Sequence, residues 1–111
     1  MHDDMNNEDI TPLELAARIA AGDTPVILDV REPWEFDLAH ITDSILVPLS
    51  TLAVASGQLD RAAEYVMVCH HGMRSAMGTD TLRAHGFMRV LNLVGGIDAW
   101  STDVDAAVAR Y

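Results

Sequence analysis

Tyr65-Val66-Met67-Val68-Cys69-His70-His71-Gly72-Met73-Arg74-Ser75 decides how this chain folds. Tyr65 to Cys69 is an unbroken apolar run, the pattern of a strand buried on both faces of a parallel sheet. From Ser75 to His85 the pattern continues as a helix, and Gly86 gives its stop signal. Strand, short loop and helix in that order form half of a βαβ unit. They put Cys69 at the carboxyl end of a strand, where ligands of open α/β sheets bind.

Upstream, Val26-Ile27-Leu28-Asp29-Val30 repeats the buried-strand pattern. Before it, Thr11-Pro12-Leu13-Glu14 starts a helix: Thr caps, Pro suits the first helical position, and Glu three residues after Thr completes a capping box. That helix should run to about Ala21, where Gly22-Asp23-Thr24-Pro25 stops it. Pro33 to Phe36 reads as a short helix and Ile45-Leu46-Val47 as a short strand closed by Pro48. A weak helix over Ser50 to Ala55 and a loop at Gly57 follow. Downstream, Arg89 to Val94 is the last strand, Gly95-Gly96 a turn, and Ile97 to Trp100 the start of a final helix. Alternating strands and helices imply an α/β sheet with right-handed crossovers. A single domain is expected over residues 10–111, behind a flexible acidic N-terminus over residues 1–9.

Composition narrows the function. The chain has 111 residues, half of them apolar, which suits one independently folding domain. Its net charge is −10, and the seven basic residues are all arginine, scattered without a cluster. Such a surface suits neither nucleic acid nor an anionic membrane, because phosphate binding needs a concentrated positive footprint. No apolar stretch approaches the ~20 residues of a membrane span. Met1 to Asp9 lacks the basic and apolar regions of a secretory leader, so a cytoplasmic location is expected. A monomer or weak homodimer is the expected state, with no cofactor and no metal.

One cysteine cannot close an internal disulfide or build a multi-cysteine zinc site, so Cys69 is core filler, a reactive thiol or a surface accident. Its context favours reactivity. The turn back into a helix lets backbone N–H groups point at the sulfur, and Gly72 supplies the torsions such a cradle needs. These donors, the helix dipole and Arg74 all favour the thiolate, which is the nucleophile. His70 and His71 are read as loop residues lining a pocket and tuning the thiolate, because two adjacent histidines with one cysteine lack metal-ligand spacing. Met73 and Met77 are read as packing residues near the loop.

Cys69-x-x-Gly72-x-Arg74-Ser75 resembles the active-site loop of rhodanese-like domains. Asp29-Val30-Arg31-Glu32, Glu35-Phe36 with His40-Ile41, and Gly95-Gly96-Ile97-Asp98-Ala99-Trp100 are similar to the family's other landmarks, in the family's order from about Ile10 to Trp100. The resemblance implies a five-stranded parallel sheet flanked by helices. It implies that Cys69 takes sulfane sulfur from thiosulfate or a protein persulfide, a small anionic donor in the first case. Cys69 then passes that sulfur to cyanide in an assay, or to a protein or small-molecule thiol. It further implies that the amides of His70, His71, Gly72, Met73 and Arg74 cradle the persulfide and that Arg74 orients the donor. Ser75, Asp29 and Arg31 would support the loop. For Asp29 and Arg31 a structural ion pair is the reading preferred over bracing the loop. Arg74 has a second role open to it, bracing the loop through Glu32 or Glu35.

The chain departs from the family at one segment. Where Gly-His-Ile-x-Gly-Ala-x-Asn-x-Pro is common, it has Ala39-His40-Ile41-Thr42-Asp43-Ser44-Ile45-Leu46-Val47-Pro48, without either glycine or the asparagine. Two other functions compete. A phosphatase or arsenate reductase would use a similar cysteine loop, but one residue longer between Cys and Arg than the four from His70 to Met73. A non-catalytic or regulatory module would not need both Cys69 and Arg74.

Overall fold

The computed structural model describes residues 9–111. The expected flexible N-terminus therefore lies outside the described residues, except for Asp9. That residue belongs to a strand not anticipated from the sequence: β1, Asp9–Ile10. Two residues with one side chain turned inward carry no detectable periodicity, so β1 shows itself only through its partner. It pairs in parallel with β5, Val90–Leu93, matching Asp9 to Asn92 and Ile10 to Leu93.

The other strands are β2, Val26–Asp29; β3, Ile45–Leu46; and β4, Tyr65–Val68. All pair in parallel, in the order β1-β5-β4-β2-β3. The helices are α1, Pro12–Ala20; α2, Pro33–Leu38; α3, Leu52–Ala55; α4, Met73–Ala84; and α5, Gly96–Asp103. A five-stranded parallel α/β sheet is thus present as expected. Two short 3₁₀ turns, Leu49–Thr51 and Ser56–Gln58, flank α3, and the second occupies the expected loop at Gly57. The capping box at the start of α1 forms: Glu14 N–H donates to Thr11 Oγ1 at 3.1 Å, and Thr11 N–H to Glu14 Oε1 at 2.8 Å.

Alternation along the central strands divides the core between the two sheet faces. Ile27, Val66 and Val68 join α1 and α5 through Leu15, Ile97 and Trp100. Leu28, Met67 and Cys69 point the other way, towards Leu52 of α3 and Leu82 of α4. Each fully buried Leu contributes roughly 2 kcal/mol of transfer free energy. Among the described residues, no helix is long and apolar enough to cross a membrane.

The strand order explains where a site forms. From β4 the chain crosses to β5 on one side, while from β2 it crosses to β3 on the other. The adjacent carboxyl ends of β2 and β4 therefore face a crevice from which the connections diverge, the topological switch point of an open α/β sheet. Cys69 follows β4 there, and Arg31 and Glu32 follow β2.

Candidate functional site

Helix α4 begins at Met73, two residues before the expected start at Ser75. Gly72 caps it in the left-handed conformation, φ 105°, which sends the chain back under Cys69. The Gly72 N–H donates to Cys69 Sγ at 3.0 Å. Cys69 is buried, 1% exposed, on the α4 side of the sheet.

A second group reaches the sulfur from within α4. Ser75 Oγ lies 3.3 Å from Cys69 Sγ and 2.5 Å from Asn92 Oδ1 of β5. Asn92 also donates from Nδ2 to the Gly72 carbonyl at 3.2 Å, which fixes which way its amide faces. Ser75 has one hydroxyl hydrogen and two acceptors, so it can donate to the sulfur only by releasing Asn92. Asn92 was not anticipated: a single polar residue inside a short strand is an ordinary surface signal. Only the strand register places it beside the loop.

The carbonyls of Cys69 and His70 are taken up by the start of α5. Asp98 N–H donates to the His70 carbonyl at 3.1 Å. Gly96 makes the approach possible, because a Cβ there would collide with the carbonyl oxygens of Cys69 and His70. Its φ of 63° is likewise one that favours glycine. With those two carbonyls held by α5, the loop presents the Gly72 amide to the sulfur.

Arg74 does not stand free. Its Nη1 and Nη2 donate to Glu35 Oε1 and Oε2 at 2.6 and 2.8 Å, a two-pronged ion pair with Glu35 buried. Of the two roles open to Arg74 from the sequence, this is the geometry of the brace. Glu35 also accepts from the Glu32 N–H at 2.9 Å and from the Tyr111 hydroxyl at 2.7 Å. The Arg74 guanidinium above all, then the Glu32 amide and the Tyr111 hydroxyl, outweigh burial and lower the carboxyl from 4.5 to about 2.

Asp29 and Arg31 form a fully buried ion pair with contacts of 2.7–3.1 Å. Arg31 also donates to the Ala39 carbonyl at 2.6 Å and to the Tyr111 hydroxyl at 2.8 Å. Neither residue hydrogen-bonds to the 70–74 loop; they form the structural ion pair, the reading preferred from the sequence over direct bracing. A guanidinium at the base of the crevice is neutralised by the nearest carboxylate, two residues away in the chain.

His70 is half-buried, with its ring stacked between His71 and Tyr111 at centroid distances of 4.0 Å on each side. Burial first, then the neighbouring His71, holds its pKa below the usual histidine value. Its Nε2 is buried without a hydrogen-bond partner. His71 is exposed, 4.0 Å from Asp98. Met73 and Met77 are 79% and 57% exposed, a correction to their reading as packing residues. Helix α4 turns both towards solvent, since the sheet is covered by its other face, through Ser75, Gly78, Thr79 and Leu82.

The departing segment forms its turn without either glycine. Asp43 stands where the family commonly has glycine and adopts φ 66°, a left-handed conformation that aspartate tolerates better than most residues. The turn closes with the Ser44 hydroxyl donating to the Ile41 carbonyl at 2.6 Å. Ala39 is extended at φ −167°, where no glycine is needed.

The profile of the rhodanese-like domain family matches residues 11–103. The chain is 32% identical over 103 residues to a putative sulfur carrier protein, YrkF, of Bacillus subtilis, covering 90% of this chain and 56% of that one. It thus spans about half of that relative. A protein of Allochromatium vinosum named sulfurtransferase is 31% identical over 87 residues, covering 78% of this chain and 81% of its own. Among solved structures, a rhodanese-related protein of Thermoplasma volcanium superposes with a TM-score of 0.78 at 33% identity, covering 87% of this chain and 93% of that one.

Proposed function

Since the chain belongs to the rhodanese-like domain family, we propose that it is a sulfurtransferase in which Cys69 carries sulfane sulfur as a persulfide. The Cys69 thiolate attacks the outer sulfur of thiosulfate. A new S–S bond forms as the donor's own S–S bond breaks, and sulfite leaves with the electron pair. The acceptor then attacks the terminal sulfur of the persulfide, taking it and returning Cys69 as thiolate. With cyanide the product is thiocyanate; with a thiol it is a new persulfide. A small anion as donor and a protein or small thiol as acceptor fit a crevice rimmed by exposed His71 and Met73.

The observation that carries this reading is the cradle around Cys69 Sγ, with the Gly72 amide at 3.0 Å and the Ser75 hydroxyl at 3.3 Å. A persulfide is an anion at neutral pH; the Gly72 amide already faces the sulfur site, and the Ser75 hydroxyl can join it by releasing Asn92. The four residues between Cys69 and Arg74, and the commitment of Arg74 to Glu35, leave a ring suited to one sulfur and not to a tetrahedral phosphate. The test is intact-protein and peptide mass spectrometry after thiosulfate treatment. One added sulfur on Cys69, absent in Cys69→Ser and removed by cyanide, is expected. A chain that stays unmodified with thiosulfate and with persulfide donors would show that Cys69 does not carry sulfur.

A further inference from the structure

Tyr111 lies outside the span that the family profile matches, yet it contacts Arg31, Glu35, Trp34 and His70 beside the site. Its hydroxyl accepts from Arg31 Nη1 at 2.8 Å and donates to Glu35 Oε2 at 2.7 Å. Among the described residues it is the one side chain hydrogen-bonded to both the Asp29–Arg31 pair and the Glu35–Arg74 pair. Its ring lies nearly parallel to that of His70, 4.0 Å away and tilted by 8°, and meets Trp34 edge-on at 5.9 Å.

The loop is otherwise held from two directions. The start of α5 takes the carbonyls of Cys69 and His70, and Asn92 takes that of Gly72. Neither contact restrains the imidazole of His70. That ring keeps Nε2 buried with no partner, so turning it outward would gain a hydrogen bond to water. The Tyr111 ring covers one face of the imidazole and opposes that movement. The hydroxyl of the same residue supplies one of the donors that fix the Glu35 carboxylate, on which both prongs of Arg74 rest.

We propose that Tyr111 is a positioning residue for the Cys69 loop, whose ring holds His70 over the crevice and whose hydroxyl sets the carboxylate that aims Arg74. Its consequence for turnover rests on the sulfurtransferase reading. Its consequence for access to Cys69 does not, and access is what the experiment measures. The 111-residue chain is treated with iodoacetamide in the absence of denaturant, and the rate of Cys69 alkylation is followed by mass spectrometry beside a thermal melt.

Tyr111→Leu removes both the stack and the hydroxyl and is expected to speed alkylation about fivefold, the opening that one aromatic stack holds back. Tyr111→Phe keeps the ring and should stay within about twofold of the parent on the same grounds. In Tyr111→Phe the Glu35 carboxyl, followed by carbon-detected NMR, should titrate above its parent value because a donor has gone. A residue that only stabilised the fold would lower both melting points and raise both alkylation rates together. Equal rates in the two variants, or an unmoved Glu35 titration in Tyr111→Phe, overturn the proposal. A parent that takes up no sulfur from any donor overturns the sulfurtransferase reading alone, since neither measurement uses a donor.

Discussion

The backbone N–H of Ile97 donates to the carbonyl oxygen of Cys69 at 2.8 Å, which ties the strand end bearing the cysteine to the first turn of the last helix. That bond exists because Gly96, immediately before Ile97, lets the two backbones touch. Gly96→Ala should therefore damage the site from outside the loop. A methyl group there meets two carbonyl oxygens and sits at a positive φ, so a loss of at least about 2 kcal/mol is expected. The melting temperature should fall by roughly 8 °C or more for a domain of this size. Thermal melts check this, and a parent-like melt would show that α5 can step away from the loop.

Glu35 should make stability depend on acid. Its carboxyl titrates at about 2 when folded, against 4.5 ordinarily, so the folded state favours the charged form. The resulting stabilisation, about 3 kcal/mol at most, is fully present above the unfolded pKa. It is lost as the pH falls from 4.5 through about 2, because below both values the folded and unfolded chains hold the same proton. Urea unfolding between pH 6 and pH 2 in the parent and in Glu35→Gln would measure it, with the variant showing a flatter profile over that range. Parallel profiles would mean that Glu35 contributes none of the acid sensitivity.

Arg74 and Glu35 should be energetically coupled. Removing either partner alone leaves the other with a desolvated charge, whereas removing both removes the problem. A double-mutant cycle with Arg74→Met and Glu35→Gln is expected to give a coupling of about 1–3 kcal/mol. Arg74→Lys, with a point charge in place of the fork, should lower the melting temperature with little change in KM for thiosulfate. A raised KM with an unchanged melt would instead make Arg74 a donor-binding residue.

Asp43 offers a stabilising change. It holds φ 66° in a short turn, so Asp43→Gly should relieve about 0.5–1 kcal/mol of backbone strain, partly offset by the greater freedom of glycine in the unfolded chain. Asp43→Val should destabilise, because a β-branched side chain fits that conformation worst. Chemical denaturation ranks the three proteins, and a valine variant as stable as the parent would mean that the turn adopts another conformation in solution.

Strands β2 and β4 and helices α1 and α4 were legible in the sequence because each is long enough, or well enough capped, to show its period locally. The placement of Cys69 followed from the same signals. What escaped depends on residues far apart in the chain. β1 is two residues whose only support is β5, Asn92 meets Ser75 across 17 positions, and Tyr111 meets Glu35 across 76. The pairing of Arg74 with Glu35 was open from sequence as one of two roles, because spacing along the chain does not tell how far α2 stands from α4. The Met73 and Met77 reading failed for a different reason: α4 buries small and hydroxyl residues against the sheet, so apolarity does not mark its inner face.

The sheet ends on both sides in strands of only two residues, β1 and β3. A long flat border would offer a ladder of unpaired amides and carbonyls to another chain, and each border here supplies barely a rung. Edge-to-edge association, the usual aggregation hazard of an open parallel sheet, therefore has almost no template among the described residues. Covalent fusion to other domains at either end would not have to defend it against strand exchange.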